Sequence, residues 1–154
     1  MDITAFDSLM DELAKYLGLS GISKTADNQC LLEIGKISVG FRFLSASGNI
    51  MICSVIGQIP DSGRESFYKM LLEANHALFK TAGATLSVYT PLDMVALQYL
   101  CNAQTTDAQR FITIVENFAA AAEYWQERCL QGEISTDQSE KSDDLSEQSF
   151  LLSV

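Results

Sequence analysis

Between Ile37 and Phe43 the chain alternates strictly. Ile37, Val39, Phe41 and Phe43 are apolar, and Ser38, Gly40 and Arg42 separate them. Successive side chains of a strand point to opposite faces, so this spacing predicts a strand with one buried face. The flanking segments obey other periods. Ile3, Phe6, Met10, Leu13 and Leu17 recur at helical spacing, and Gly18 follows as a stop. Gln29 to Ile34 is a short apolar run bounded by Asp27-Asn28 and Gly35-Lys36. After the alternating strand, Ser45-Ala46-Ser47-Gly48-Asn49 turns the chain, and Ile50 to Ile59 reads as a third strand, apolar on both faces. Links this short make the three strands an antiparallel meander.

Pro60-Asp61-Ser62-Gly63 breaks the sheet. Ser62 with Glu65 has the spacing of a capping box, and Phe67, Met70, Leu71, Ala74 and Leu78 form the stripe of a middle helix that Gly83 ends. Ala84 to Tyr89 and Met94 to Cys101 read as two further strands joined by Thr90-Pro91-Leu92-Asp93. A last helix is predicted from Asp107 to Gln131, capped by Thr105 or Thr106 and stopped by Gly132. Its stripe is Phe111, Ile114, Val115, Phe118, Ala119, Ala122, Trp125 and Cys129. The predicted fold is α+β in the order αβββαββα, a mainly antiparallel twisted sheet flanked by three helices, in one domain over residues 1–132. Residues 133–154 hold six acids and one base, Lys141, among many Ser and Gln. Such a segment is expected to be a disordered acidic tail, because it buries too little to offset its ordering entropy. Its last residues, Phe150-Leu151-Leu152-Ser153-Val154, turn apolar again, which reads either as a frayed end with no role or as a short peptide that docks in a groove, its own or a partner's.

Several strands are apolar on both sides, notably Ile50 to Ile56 and Val95 to Leu100, and the middle helix carries Leu72, Ala77 and Phe79 outside its stripe. Three helices do not cover two faces of a five-stranded sheet. A contiguous apolar surface is therefore expected, and with it a homodimer through the middle helix and neighbouring strands.

Candidate chemistry is sparse. His76 is the single histidine. Cys30, Cys53, Cys101 and Cys129 are widely spaced inside apolar runs, with neither a C-x-x-C pair nor zinc-ligand spacing. No glycine-rich nucleotide loop occurs. The expectation is no enzyme, no cofactor and no metal. A formal net charge of −10 argues against a phosphate-backbone partner and against an anionic membrane surface. The acidic start Met1-Asp2-Ile3-Thr4 lacks the basic residues of a secretory signal, so the expected setting is the cytoplasm.

Leu71-Leu72-Glu73-Ala74-Asn75-His76-Ala77-Leu78-Phe79-Lys80-Thr81-Ala82-Gly83-Ala84-Thr85-Leu86-Ser87-Val88 resembles the signature region of the Tir chaperone (CesT-like) family, the class I chaperones of bacterial type III secretion. The shared pattern is a Leu-Leu-x-x-Asn helix, a glycine-containing turn and a strand with an early leucine. The first helix, the meander, the hairpin and the aromatic end of the last helix (Phe118, Tyr124, Trp125) fit in the same order, over residues 1 to about 131. The resemblance implies a homodimer in the bacterial cytoplasm that binds the N-terminal segment of a secreted effector, holds it extended and presents it to the secretion ATPase. It implies Phe6, Leu9, Met10, Leu13, Leu32, Ile34, Phe41, Phe43, Ile50 and Ile52 as candidates for effector binding, although the sequence does not sort groove from core. For the dimer it implies Phe67, Leu71, Asn75, Leu78, Leu86 and Val88. Two other readings remain at this point. One is a regulator of the same fold that sequesters a partner controlling transcription. The other, more remote, is a small enzyme using a cysteine with His76.

Overall fold

A computed structural model describes residues 3–131. The predicted tail, its apolar end Phe150–Val154 and the stop at Gly132 lie outside the described residues. The helices are α1 (Thr4–Tyr16), α2 (Arg64–Ala74) and α3 (Ala108–Gln131), and the strands are β1 (Gln29–Ile34), β2 (Ile37–Leu44), β3 (Asn49–Gln58), β4 (Thr85–Tyr89) and β5 (Met94–Asn102). The order αβββαββα holds, with short 3-10 segments added at His76–Thr81 and Thr90–Leu92. The strands lie side by side as β1-β2-β3-β5-β4, every neighbouring pair antiparallel.

Register follows from the alternation. Cys30 faces Phe41, Phe41 faces Ile52, and Ile52 faces Tyr99, so one row of one face crosses four strands. Phe43–Ile50–Cys101 and Ser54–Leu97–Leu86 form parallel rows. A one-residue slip would turn this whole set to the other face. The first and last helices cover this inner face. Phe6 of α1 stacks on Phe43 at 5.7 Å, and Phe111 of α3 meets Phe41 at 6.2 Å. Phe6, Phe41, Ile52, Phe111 and Phe118 are fully buried, each contributing about 1.5–3 kcal/mol of transfer free energy. The Tyr16 hydroxyl donates to Glu116 and ties α1 to α3. Gly57 sits at a register shift in β3, where an added Cβ would stand 2.6 Å from Cys129 Cβ. The bare glycine thus lets the end of α3 press onto the end of β3.

Three expectations are corrected. The middle helix does not reach Gly83; α2 stops at Ala74, and Ala77 and Leu78 take left-handed backbone with φ of +54° and +60°. Tertiary bonds hold this connector. Trp125 Nε1 donates to the Lys80 carbonyl at 3.0 Å, and the buried Thr81 hydroxyl donates to the Ala84 carbonyl at 2.6 Å. The bend takes Leu78 off the stripe and leaves it exposed. Ser62 does not cap α2; the cap position is Gly63, with φ +69° and no side-chain bond. Neither Thr105 nor Thr106 caps α3. Asp107 Oδ1 accepts from the Arg110 N–H at 2.8 Å, while Asn102 Oδ1 accepts from the Gln104 and Thr105 N–H groups and shapes the preceding turn.

Candidate functional site

The sheet's outer face carries apolar residues that stay open. Leu31, Val55 and Leu100 are 67%, 52% and 54% exposed, and Met51 and Cys53 between them are half-buried. Gly40 lies between Leu31 and Cys53 in one cross-strand row and contributes no side chain there. Beside it, Arg42 is exposed and has no ion-pair partner among the described residues.

The two sheet edges differ. Asn28 gives its carbonyl to the Phe43 N–H, whereas the Gln29 carbonyl turns away from β2 to accept from the Thr25 N–H. Antiparallel strands alternate in this way, so Cys30, Leu32 and Ile34 bond to β2 and the backbone groups of Leu31 and Glu33 point outward. Among the described residues nothing bonds to those outward groups. At the other edge, Asn75 Nδ2 donates to the Leu86 carbonyl at 3.0 Å, and Asn75 Oδ1 accepts from the Leu86 N–H at 2.8 Å. A side-chain amide there takes the place of a sixth strand.

A second apolar surface surrounds the α2–β4 connector. Leu72 and Phe79 are 70% and 65% exposed, with Leu78, Val88 and Tyr89 also exposed. The left-handed residues Ala77 and Leu78 form the bend that immediately precedes Phe79.

Most of the residues expected at these surfaces are in the core. Phe6, Leu9, Met10, Leu13, Phe41, Phe43, Ile50 and Ile52 are buried within the protomer. Of that set only Leu32 and Ile34, on β1, keep partial exposure. Phe67, Leu71 and Leu86 are likewise buried, Asn75 is engaged with Leu86, and Leu78 and Val88 are exposed. The accessible apolar residues instead occupy the alternate positions. Leu31 adjoins the expected Leu32, Met51 lies between Ile50 and Ile52, and Leu72 adjoins Leu71. The period-two signal that marks an inner face marks an outer face too, and an apolar residue on both is its trace.

The side chains lend themselves poorly to nucleophilic chemistry. Burial pushes the Cys101 and Cys129 thiols up to about 11, and burial also raises those of Cys30 and Cys53. Thiolate, the reactive form, is thereby scarce near neutral pH. His76 is exposed at the start of the connector. Among the described residues no cluster of His, Cys, Asp and Glu would hold a metal ion, and no helix is long and apolar enough to cross a membrane.

The model of the Tir chaperone protein (CesT) family matches residues 8–126. Solved structures share the fold. A chain of the ExsC–ExsE complex superposes with a TM-score of 0.69 at 18% identity, covering 82% of this chain and 96% of that one. A chain of the HopA1–SchA chaperone–effector complex gives 0.67 at 12% identity, covering 82% and 98%. A chain of the complex between the Yersinia pestis type III secretion chaperone SycH and a stable fragment of YscM2 gives 0.62 at 17% identity, covering 78% and 98%. At these identities the likeness is one of fold. A comparison with curated protein sequences gives no match.

Proposed function

The chain belongs to the Tir chaperone protein (CesT) family, and from that premise we propose how it works as a type III secretion chaperone. It binds the N-terminal segment of an effector protein, keeps it extended, and passes it to the secretion apparatus, where the secretion ATPase is its expected contact. The supporting observation is the outer edge of β1, unpaired among the described residues, beside the open apolar surface at Leu31, Met51, Val55 and Leu100. An unfolded segment adds a strand to such an edge, and its backbone bonds read no sequence. Its apolar side chains then cover exposed Leu31 and the half-buried Leu32 and Ile34. A folded guest has no free strand to give, so this surface selects for unfolded polypeptide.

The protein works as a homodimer in the bacterial cytoplasm, in this reading, with Leu72, Leu78, Phe79 and Val88 as the self-association surface. The Asn75 bonds close the first part of the β4 edge, so the dimer packs side chain on side chain and does not extend the sheet. The chain contributes binding and no catalysis. The excess of acid keeps a protein with two sticky surfaces soluble.

Co-expression with effectors from the same secretion locus, followed by limited proteolysis, tests the reading. A protected effector N-terminal segment is the expected result. Recovery of a folded regulatory protein instead would replace it with the sequestering role. Phe79→Asp is expected to give a monomer by light scattering at micromolar concentration, and an unchanged dimer would remove the connector from the interface.

A further inference from the structure

We propose that residues 75–83 form a two-state connector. The bent form, which the structure shows, is the one that self-associates, and a second form continues α2 to Lys80 and withdraws Leu78. This rests on the reading of the connector as the self-association surface.

Backbone geometry carries the first part of the argument. Ala77 and Leu78 hold φ of +54° and +60°, and Ala82 holds +53°. Left-handed backbone brings the Cβ of an L-residue too close to the following carbonyl oxygen. Glycine avoids this cost, yet the bend places its glycine only later, at Gly83. Conformations of this kind persist where the surrounding structure imposes them. Here three bonds do so. Trp125 Nε1 donates to the Lys80 carbonyl at 3.0 Å, the Thr81 hydroxyl to the Ala84 carbonyl at 2.6 Å, and the Gly83 N–H to the Leu78 carbonyl at 3.0 Å. The strain of two adjacent residues and the net gain of three hydrogen bonds are of the same order, so the bent form holds no wide margin over a relaxed one.

Local sequence favours the relaxed form. Arg64 to Ala82 contains neither Gly nor Pro, and Leu78 continues the spacing of Phe67, Leu71 and Ala74, all three buried. Asn75 already has helical backbone, with φ −74° and ψ −13°, and its N–H bonds to the Leu71 carbonyl. A helix running on from there puts Leu78 on the face of Leu71 and Ala74 and leaves the bonds between Asn75 and Leu86 in place. The chain also closes. Lys80 then stands roughly 8 Å beyond Asn75 along the axis. Residues 81–85 reach up to about 17 Å, so β4 keeps its place.

The two forms offer a second copy different surfaces. The bend turns Leu78 outward next to exposed Phe79, whereas the continuous helix takes Leu78 away. A second copy that covers both residues therefore binds the bent form more tightly and draws the equilibrium toward it. Solitary protomers hide part of their apolar surface, and association offsets the strain of the bend.

Ala77→Gly provides the test. Ala77 is exposed, so the change removes one methyl group from the surface. Glycine relieves the left-handed backbone and disfavours the helix, and both effects push toward the bend. In sedimentation at a series of dilutions, the dimer dissociation constant should fall about tenfold below the wild-type value. Thr81→Val removes a bond of the bent form and should raise the constant about fivefold. Far-UV ellipticity of the wild type should show more helix as the dimer dissociates, and that of the Ala77→Gly variant should not. An unchanged constant in Ala77→Gly means a connector bent in monomer and dimer alike. A higher constant means that the continuous helix is the associating form. Either result overturns the proposal. The two readings fail separately. A wild type that stays monomeric at every concentration removes the self-association surface and the switch with it. A dimer whose constant ignores Ala77→Gly removes the switch alone.

Discussion

The β4 edge and the β1 edge are built from similar apolar strands, yet among the described residues one is closed over its first part and the other is open. At β4 the amide of Asn75 donates to and accepts from Leu86, and the Thr81 hydroxyl donates to the Ala84 carbonyl. At β1 the outward groups of Leu31 and Glu33 have no partner among the described residues. The difference teaches that edge protection is local chemistry. The helix that ends at Ala74 delivers one carboxamide to β4, and among the described residues nothing equivalent stands beside β1. An open edge is a template for a further strand and a closed one is not, so the proposed strand-accepting role rests on this asymmetry.

The sharpest way to break the contrast is Asn75→Ala. It leaves the Leu86 N–H and carbonyl unpaired in a half-buried site, and a loss of about 2–3 kcal/mol is expected in urea unfolding. Aggregation should rise with it, since the second edge is then exposed. Gly57→Ala calibrates this away from both edges. The new Cβ meets Cys129 Cβ, so the end of α3 must shift, at about 1–3 kcal/mol. Leu31→Pro addresses the open edge. It removes an outward N–H that has no partner among the described residues, so stability should change by less than about 1 kcal/mol, while effector capture falls sharply. Retained capture would mean that guests do not pair with β1.

The smallest effect is a pH dependence. The Cys101 and Cys129 thiols are held at about 11 in the fold, above the ordinary 9.0, because burial disfavours the thiolate. The folded state therefore binds these protons more tightly than the unfolded chain. That stabilisation is fully present below pH 9 and is lost as pH rises through about 11, so the urea midpoint should fall over this window. Cys101→Ser and Cys129→Ser variants should flatten the fall.

The strands and their inner face were legible from alternation alone. Ile37, Val39, Phe41 and Phe43 lie where their spacing puts them, and the order of eight elements follows from the changes of period. The site was less legible. Phe41 and Ile52 look equally fit for a core or a groove, and only the placement of α1 and α3 over one face decides it. Leu78 continues a helical stripe in sequence, but the bonds of Trp125 to Lys80 and of Thr81 to Ala84 join distant or bent segments that periodicity does not register. Asn75 stands out in the signature segment, yet its work on Leu86 is a contact between elements and leaves no spacing to read.

Trp125 is the single tryptophan of the chain, and its indole nitrogen is bonded to the connector that carries Phe79. Its emission is therefore an intrinsic optical gauge of that connector. Any rearrangement of that connector becomes observable in real time without attaching a dye.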